Sequence, residues 1–205
     1  MTTLKRLFFA LWPAPEIRAR CAALSAALKT AGRPVQADNL HVTLVFIGSV
    51  DETVEAKLIE AAGTVDFAKI SIRFDSLDYW RRPQIICLTG KPEDTAAASL
   101  VDALNRSAAA LQIPTEDRPY QAHVTLLRKA KALPPLAFEP LVWQSDAFCL
   151  VESCSTPEGV VYRVLKTWRT PQTQENTGAE TESRPGLTNP DGGIIIDDND
   201  PTHRL

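Results

Sequence analysis

His41-Val-Thr-Leu44 and His123-Val-Thr-Leu126 are two copies of one tetrapeptide, and they hold two of the three histidines in the chain. Side chains along a β-strand alternate faces, so residues i and i+2 point the same way. In the first copy His41 and Thr43 share one face, while Val42, Leu44 and Phe46 are expected on the other. The second copy opposes His123 and Thr125 to Val124 and Leu126 in the same manner. Each copy thus reads as a half-buried strand with its aliphatic side in a core and an imidazole and a hydroxyl on the far side. Two such strands side by side make a cleft with two histidines and two threonines.

The surrounding sequence supplies elements to hold these strands. A strand candidate at Leu7 to Trp12 stops at Pro13, and a helix is expected from Pro15 to about Thr30, striped by Ile17, Cys21, Leu24 and Leu28, with Gly32 as its terminator. Gly48 and Asp51 open a second helix in which Val54, Leu58, Ala61, Ala62 and Val65 recur at helical spacing. Strands follow near Ile70 to Leu77 and Gln84 to Leu88. A third helix is expected from about Glu93 to Leu111, with Ala97, Leu100, Val101, Leu104, Ala108 and Leu111 on one face. Two last strands, near Asp146 to Cys154 and Val160 to Trp168, are joined by Thr156-Pro-Glu-Gly159, a hairpin connection by composition.

Charge divides the chain. Residues 1 to 169 carry 20 basic and 18 acidic side chains, whereas 170 to 205 carry 2 and 7. The near-neutral body is not built to grip long nucleic acid by general phosphate neutralisation, although a local Arg/Lys cluster could hold one or two phosphates. The last segment, 170 to 205, is rich in Thr, Pro, Asn, Gly and acids and has no aromatic residue, so it is expected as a disordered acidic tail after one domain spanning 1 to 169. No apolar run is long enough to cross a membrane and the N-terminus lacks a signal-peptide pattern, which predicts a cytoplasmic protein without membrane contact; a monomer is expected. Cys21, Cys87, Cys149 and Cys154 form no CxxC pair and read as reduced small hydrophobes.

A lone strand histidine is more often structural than catalytic, but duplication at the same threonine offset favours a paired acid and base, the two roles general acid–base chemistry needs. The pattern suits a metal poorly, because zinc centres usually require three or four ligands and no HxH, HExxH or CxxC supplements the two histidines. It suits a serine or cysteine hydrolase no better, since no G-x-S-x-G elbow occurs and no cysteine lies near either histidine in sequence. Arg128 and Lys129 follow the second copy. Strict alternation puts Lys129 on the His123 face and Arg128 opposite, so Arg128 reaches the site only if the strand ends or bulges before it.

The runs Asp38-Asn-Leu-His-Val-Thr-Leu-Val-Phe-Ile-Gly48 and His123-Val-Thr-Leu-Leu-Arg128 resemble the two HxTx signatures of the 2H phosphoesterase superfamily. The opening Arg6-Leu-Phe-Phe-Ala-Leu-Trp12 is similar to its bacterial and archaeal RNA 2',3'-cyclic phosphodiesterase branch, historically called 2'-5' RNA ligase. The resemblance covers residues 5 to about 168. It implies a bilobal α+β fold with a pseudo-two-fold axis, antiparallel-rich sheets forming a central cleft and helices outside. It also implies hydrolysis of a terminal 2',3'-cyclic phosphate on RNA, or of a nucleotide bearing one, to a 2'-phosphomonoester without metal or cofactor. In that reading His41 is the proton donor to the departing 3'-oxygen and His123 the proton acceptor that activates water, while Thr43, Thr125 and Arg128 hold the phosphate. Ala122 departs from the proline that often precedes the second histidine. The alternatives are 2'-5' ligation, hydrolysis of another cyclic phosphate or 2'-5' linkage, and, in a different class, a noncatalytic nucleotide- or RNA-binding module. Phe9, Trp80, Tyr120 and Trp143 are candidate base-stacking residues.

Overall fold

The structure, a computed structural model, describes residues 4–92, 95–115, 118–157 and 159–171. Its elements are β1 (Lys5–Leu11), α1 (Pro15–Ala27), β2 (Arg33–Pro34), β3 (Val42–Val50), α2 (Glu52–Gly63), β4 (Ile70–Trp80), β5 (Ile85–Pro92), α3 (Ala96–Ala110), β6 (His123–Arg128), β7 (Leu141–Ser145), β8 (Ala147–Thr156) and β9 (Gly159–Arg169). The acidic tail expected from 170 lies outside the described residues from position 172 onward.

Nine strands form one antiparallel sheet in the order β7-β4-β5-β6-β3-β1-β8-β9, with β2 added beside β6. The order is palindromic in role. Each histidine strand lies at the centre, and three strands continue outward on either side. The two half-sheets meet where β3 pairs β6, through Val42 opposite Val124. This is the α+β architecture with related halves, its two half-sheets joined along one line.

The aliphatic faces of the strands and the three helices enclose one core that includes Leu7, Phe9, Val42, Val124, Leu126 and Leu58. Helix α3 buries Ala97, Leu100, Val101, Leu104 and Ala108, the stripe its spacing predicts. Helix α2 starts at Asp51, whose Oδ1 accepts from the Val54 amide at 2.9 Å and satisfies one of the donors a helix N-terminus leaves open.

Three expectations change. Phe9 and Trp143 are fully buried, so they are core residues and unavailable for stacking. Strand β7, missed in the sequence, buries Leu141 and Trp143 and pairs with β4; its five residues are too few to show a convincing alternation. Helix α1 ends at Ala27, and a 3-10 turn over Lys29–Ala31 carries the chain on to Gly32. Gly32 is needed for another reason: a Cβ there would lie 2.9 Å from the Arg128 carbonyl oxygen and 3.1 Å from Ala130 Cα. It lets the chain before β2 lie against the end of β6.

Replacing Asp51 with Ala is expected to cost about 1 kcal/mol in urea denaturation, with Asp51→Asn retaining most of the wild-type stability.

Candidate active site

The Val42–Val124 pair sits between the two histidines. Both valines are fully buried, so His41 and Thr43, flanking Val42, and His123 and Thr125, flanking Val124, project to the opposite face. A cavity of about 350 Å³ opens beside them, lined by Thr43, Phe46, Trp80, Tyr120 and His123, with Asn105 contributed by α3. The structure therefore brings both imidazoles and both hydroxyls of the repeat to one face.

Each copy also carries the same backbone irregularity. Between β1 and β3, Ala10 pairs Thr43 while Phe9 pairs Val45, leaving Leu44 as an extra residue. Between β5 and β6, Cys87 pairs Thr125 while Ile86 pairs Leu127, leaving Leu126 extra. A β-bulge of one residue reverses the facing of everything after it. Arg128 thereby comes to the histidine face, fulfilling the condition set by its place in sequence. Lys129, assigned there by strict alternation, instead lies past the strand with φ of 53°. Phe46, expected in the core, is 44% exposed on the histidine face. Phe46 and Arg128 occupy equivalent places, five residues after His41 and His123, and carrying the repeat comparison two residues beyond Leu44 would have revealed the pair.

The two rings are oriented alike. His41 Nδ1 lies 2.7 Å from the Asn39 carbonyl and His123 Nδ1 lies 2.9 Å from the Gln121 carbonyl. A carbonyl only accepts, so both Nδ1 atoms carry a proton, and in the neutral ring the lone pair is on Nε2. Asn39 is itself fixed to β9: its Nδ2 donates to the Val160 carbonyl at 2.7 Å and its Oδ1 accepts from the Tyr162 amide at 3.2 Å.

Their surroundings differ. His41 is enclosed by Phe8 and Tyr162, each with ring centroids 5.0 Å away, and by Trp12, nearly parallel at 5.9 Å. Phe8, Ala10, Cys149 and Val151 form a small apolar cluster on the histidine face, with Trp12 and Tyr162 packed against it. His123 meets Trp80 with ring centroids 4.6 Å apart, and its cross-strand neighbour is Thr89, whose hydroxyl donates to Asp78. Burial lowers the His41 pKa from 6.5 to about 4; the Asn39 hydrogen bond opposes that shift, while the charges of His123 and Arg128 add to it. At neutral pH the ring is uncharged, and the Thr43 hydroxyl, 3.1 Å from Nε2, donates to its lone pair.

Among the described residues no three His, Cys, Asp or Glu side chains are grouped to hold a metal ion. Cys21, Cys87 and Cys149 are buried, Cys154 is half-buried, and all four are free thiols. No helix among the described residues is long and apolar enough to cross a membrane.

Comparison with known proteins gives consistent results. A family model described as LigT-like phosphoesterase matches residues 11–87. The RNA 2',3'-cyclic phosphodiesterase of Escherichia coli is 32% identical over 173 residues, which span 82% of this chain and 98% of that protein. The protein of the same name from Thermus thermophilus is 28% identical over 184 residues, spanning 78% and 88%. The crystal structure of E. coli LigT complexed with 3'-AMP superposes with a TM-score of 0.74 at 31% identity, covering 83% of this chain and all of that one.

In an NMR titration His41 is expected to remain neutral through the ordinary imidazole range and to take its proton near pH 4. Saturating inorganic phosphate should raise that value by placing negative charge beside the ring. A ligand-free His41 titrating near 6.5 would contradict the arrangement.

Proposed function

The chain belongs to the LigT-like phosphoesterase family of the 2H superfamily, and on that premise we propose that it opens the 2',3'-cyclic phosphate at the 3' end of RNA to a 2'-phosphomonoester. The observation that carries the reading is the pair of imidazoles, each pinned through Nδ1 to a carbonyl two residues back and each turning Nε2 to a common face. Such a pair can take one proton and give another across a single phosphorus.

In this reading His123 Nε2 removes a proton from water as its oxygen bonds to phosphorus. The bond from phosphorus to the 3'-oxygen breaks, and that oxygen leaves with the proton of His41 Nε2. Charge grows on the nonbridging oxygens. The hydroxyls of Thr43 and Thr125 and the guanidinium of Arg128 are the donors for it. No step needs a metal ion.

The lowered pKa of His41 places a condition on the donor role. The free ring is neutral near pH 7 and must gain a proton before it can give one. The phosphodiester supplies the cause, since an anion beside an imidazole favours the charged form. Substrate and proton therefore bind together. Repulsion from Arg128, which lowers the pKa in the free protein, is cancelled once the phosphate lies between them.

Phe46 adds a further contact in this reading. Exposed at the place equivalent to Arg128, it offers an aromatic face to the terminal base while Arg128 holds the phosphate.

The test is to incubate the protein in EDTA with an RNA oligonucleotide ending in a 2',3'-cyclic phosphate and to map the product. Wild type is expected to yield a 2'-phosphate, and His41→Ala and His123→Ala each to lower kcat/KM by roughly 10²–10⁴-fold. Arg128→Lys should lower it about tenfold or more, from loss of a charge-assisted hydrogen bond. Phe46→Ala should cost about tenfold through lost stacking. Undiminished hydrolysis by either histidine variant would overturn the mechanism.

A further inference from the structure

Beyond the catalytic residues, the end of β6 gathers positive charge from three separate parts of the chain. Arg33 of β2 is the direct cross-strand partner of Arg128, so the two guanidinium side chains leave the same face of the sheet. On the other side Arg128 pairs Ile85, which pairs Trp80, and the Arg81-Arg82-Pro83-Gln84 turn leaves from there. Two backbone hydrogen bonds tie these segments to the residues after β6: Ala130 donates to the Gln84 carbonyl at 2.9 Å and Lys131 to the Ala31 carbonyl at 3.3 Å. The result places Lys29, Arg33, Arg81, Arg82, Arg128, Lys129 and Lys131 in one neighbourhood, all exposed.

Nothing in these segments balances that charge. Positions 29–34, 79–85 and 127–133 contain no Asp or Glu. Asp78, the acid nearest in sequence, accepts a hydrogen bond from Thr89, and the ion pairs seen among the described residues are made by Lys5, Arg18, Arg163 and Arg169 instead. Like charges directly opposite each other on neighbouring strands are destabilising, so the Arg33–Arg128 pair works against folding until an anion joins it. The body carries only two more basic than acidic side chains, which makes seven cations in one place a segregation of charge rather than a reflection of composition.

We propose that this platform binds the sugar-phosphate backbone of a single RNA strand just upstream of its reacting 3' end, so that the preferred substrate is a polynucleotide terminus and not a free cyclic nucleotide. The inference rests on the cyclic-phosphate reading above and deepens it. Arg128 holds the reacting phosphate, and the cations beyond it continue outward from that point, where the preceding phosphates of a chain would lie. A free cyclic nucleotide has no phosphate to place there. The acid-free platform also explains how a near-neutral protein can favour RNA: the attraction is local and follows the strand away from the cleft.

The test compares wild type with the variant Arg33→Gln/Arg81→Gln/Arg82→Gln/Lys131→Gln, using 2',3'-cyclic AMP and an RNA of about ten nucleotides ending in a 2',3'-cyclic phosphate, enough to span the platform. Wild type is expected to favour the oligonucleotide. The variant should lose about tenfold in kcat/KM on the oligonucleotide and keep its rate on cyclic AMP. Its plot of log kcat/KM against log salt should be shallower by about 1.4, the amount for two lost phosphate contacts on a single strand. Equal rates for both substrates in wild type, an equal loss on both in the variant, or an unaffected oligonucleotide would overturn the proposal. Failure of the cyclic-phosphate reading would appear differently, as a wild type that hydrolyses neither substrate. Fluorescence anisotropy with the same RNA ending in a 2'-phosphate then decides: salt-dependent binding that the variant loses upholds the platform, and binding the variant retains overturns it.

Discussion

Val42 faces Val124 at the one ladder position that joins the two half-sheets among the described residues, and the site depends on that contact. Two fully buried β-branched side chains fix which face of each strand is turned inward. A slip of one residue in either strand would turn that strand's imidazole into the core. The approximate two-fold relation follows from the same contact, because an antiparallel pair of identical segments maps each onto the other.

Symmetry brings the histidines together, and departures from it distinguish them. Leu44 and Leu126 are bulged at the same place in each copy, which carries the residue two positions later to the histidine face. That residue is an aromatic ring in one half and a guanidinium in the other. Support beneath the histidines diverges as well. Aromatic rings close around His41 and hold it neutral, while Thr89 and the Asp78 that it engages lie on the His123 side. Two equal imidazoles would have no reason to divide acid and base roles, and these two are held in unequal surroundings.

Much of this was legible in the sequence because it rests on local pattern. The repeat, the helical stripes of α2 and α3 and the hairpin of β8 and β9 are written in residue spacing, and the histidine–threonine faces follow from alternation alone. What escaped depends on interruption or on distance. The bulges leave no mark in composition, so alternation alone puts Phe46 in the core and Lys129 on the His123 face, and Arg128 reaches the site only through a bulge that composition does not announce. Trp12, just past the end of β1, and Tyr162 of β9 reach His41 from places that no local pattern sets beside it. Asn39 stood next to the motif, yet its amide serves β9, more than 120 residues away. The basic platform joins three segments that only the sheet register assembles, and in sequence Arg81 and Arg82 resemble an ordinary exposed turn.

In the proposed mechanism two histidines flanking one phosphorus carry out a single displacement by water, with no covalent stage. Hydrolysis of one diastereomer of a 2',3'-cyclic phosphorothioate in ¹⁸O-labelled water, followed by determination of the configuration of the 2'-thiophosphate formed, probes that step at the reacting atom. One in-line displacement predicts inversion at phosphorus. Retention would require an even number of displacements through an enzyme-bound intermediate, and would contradict the assignment of His41 and His123 to proton transfer alone.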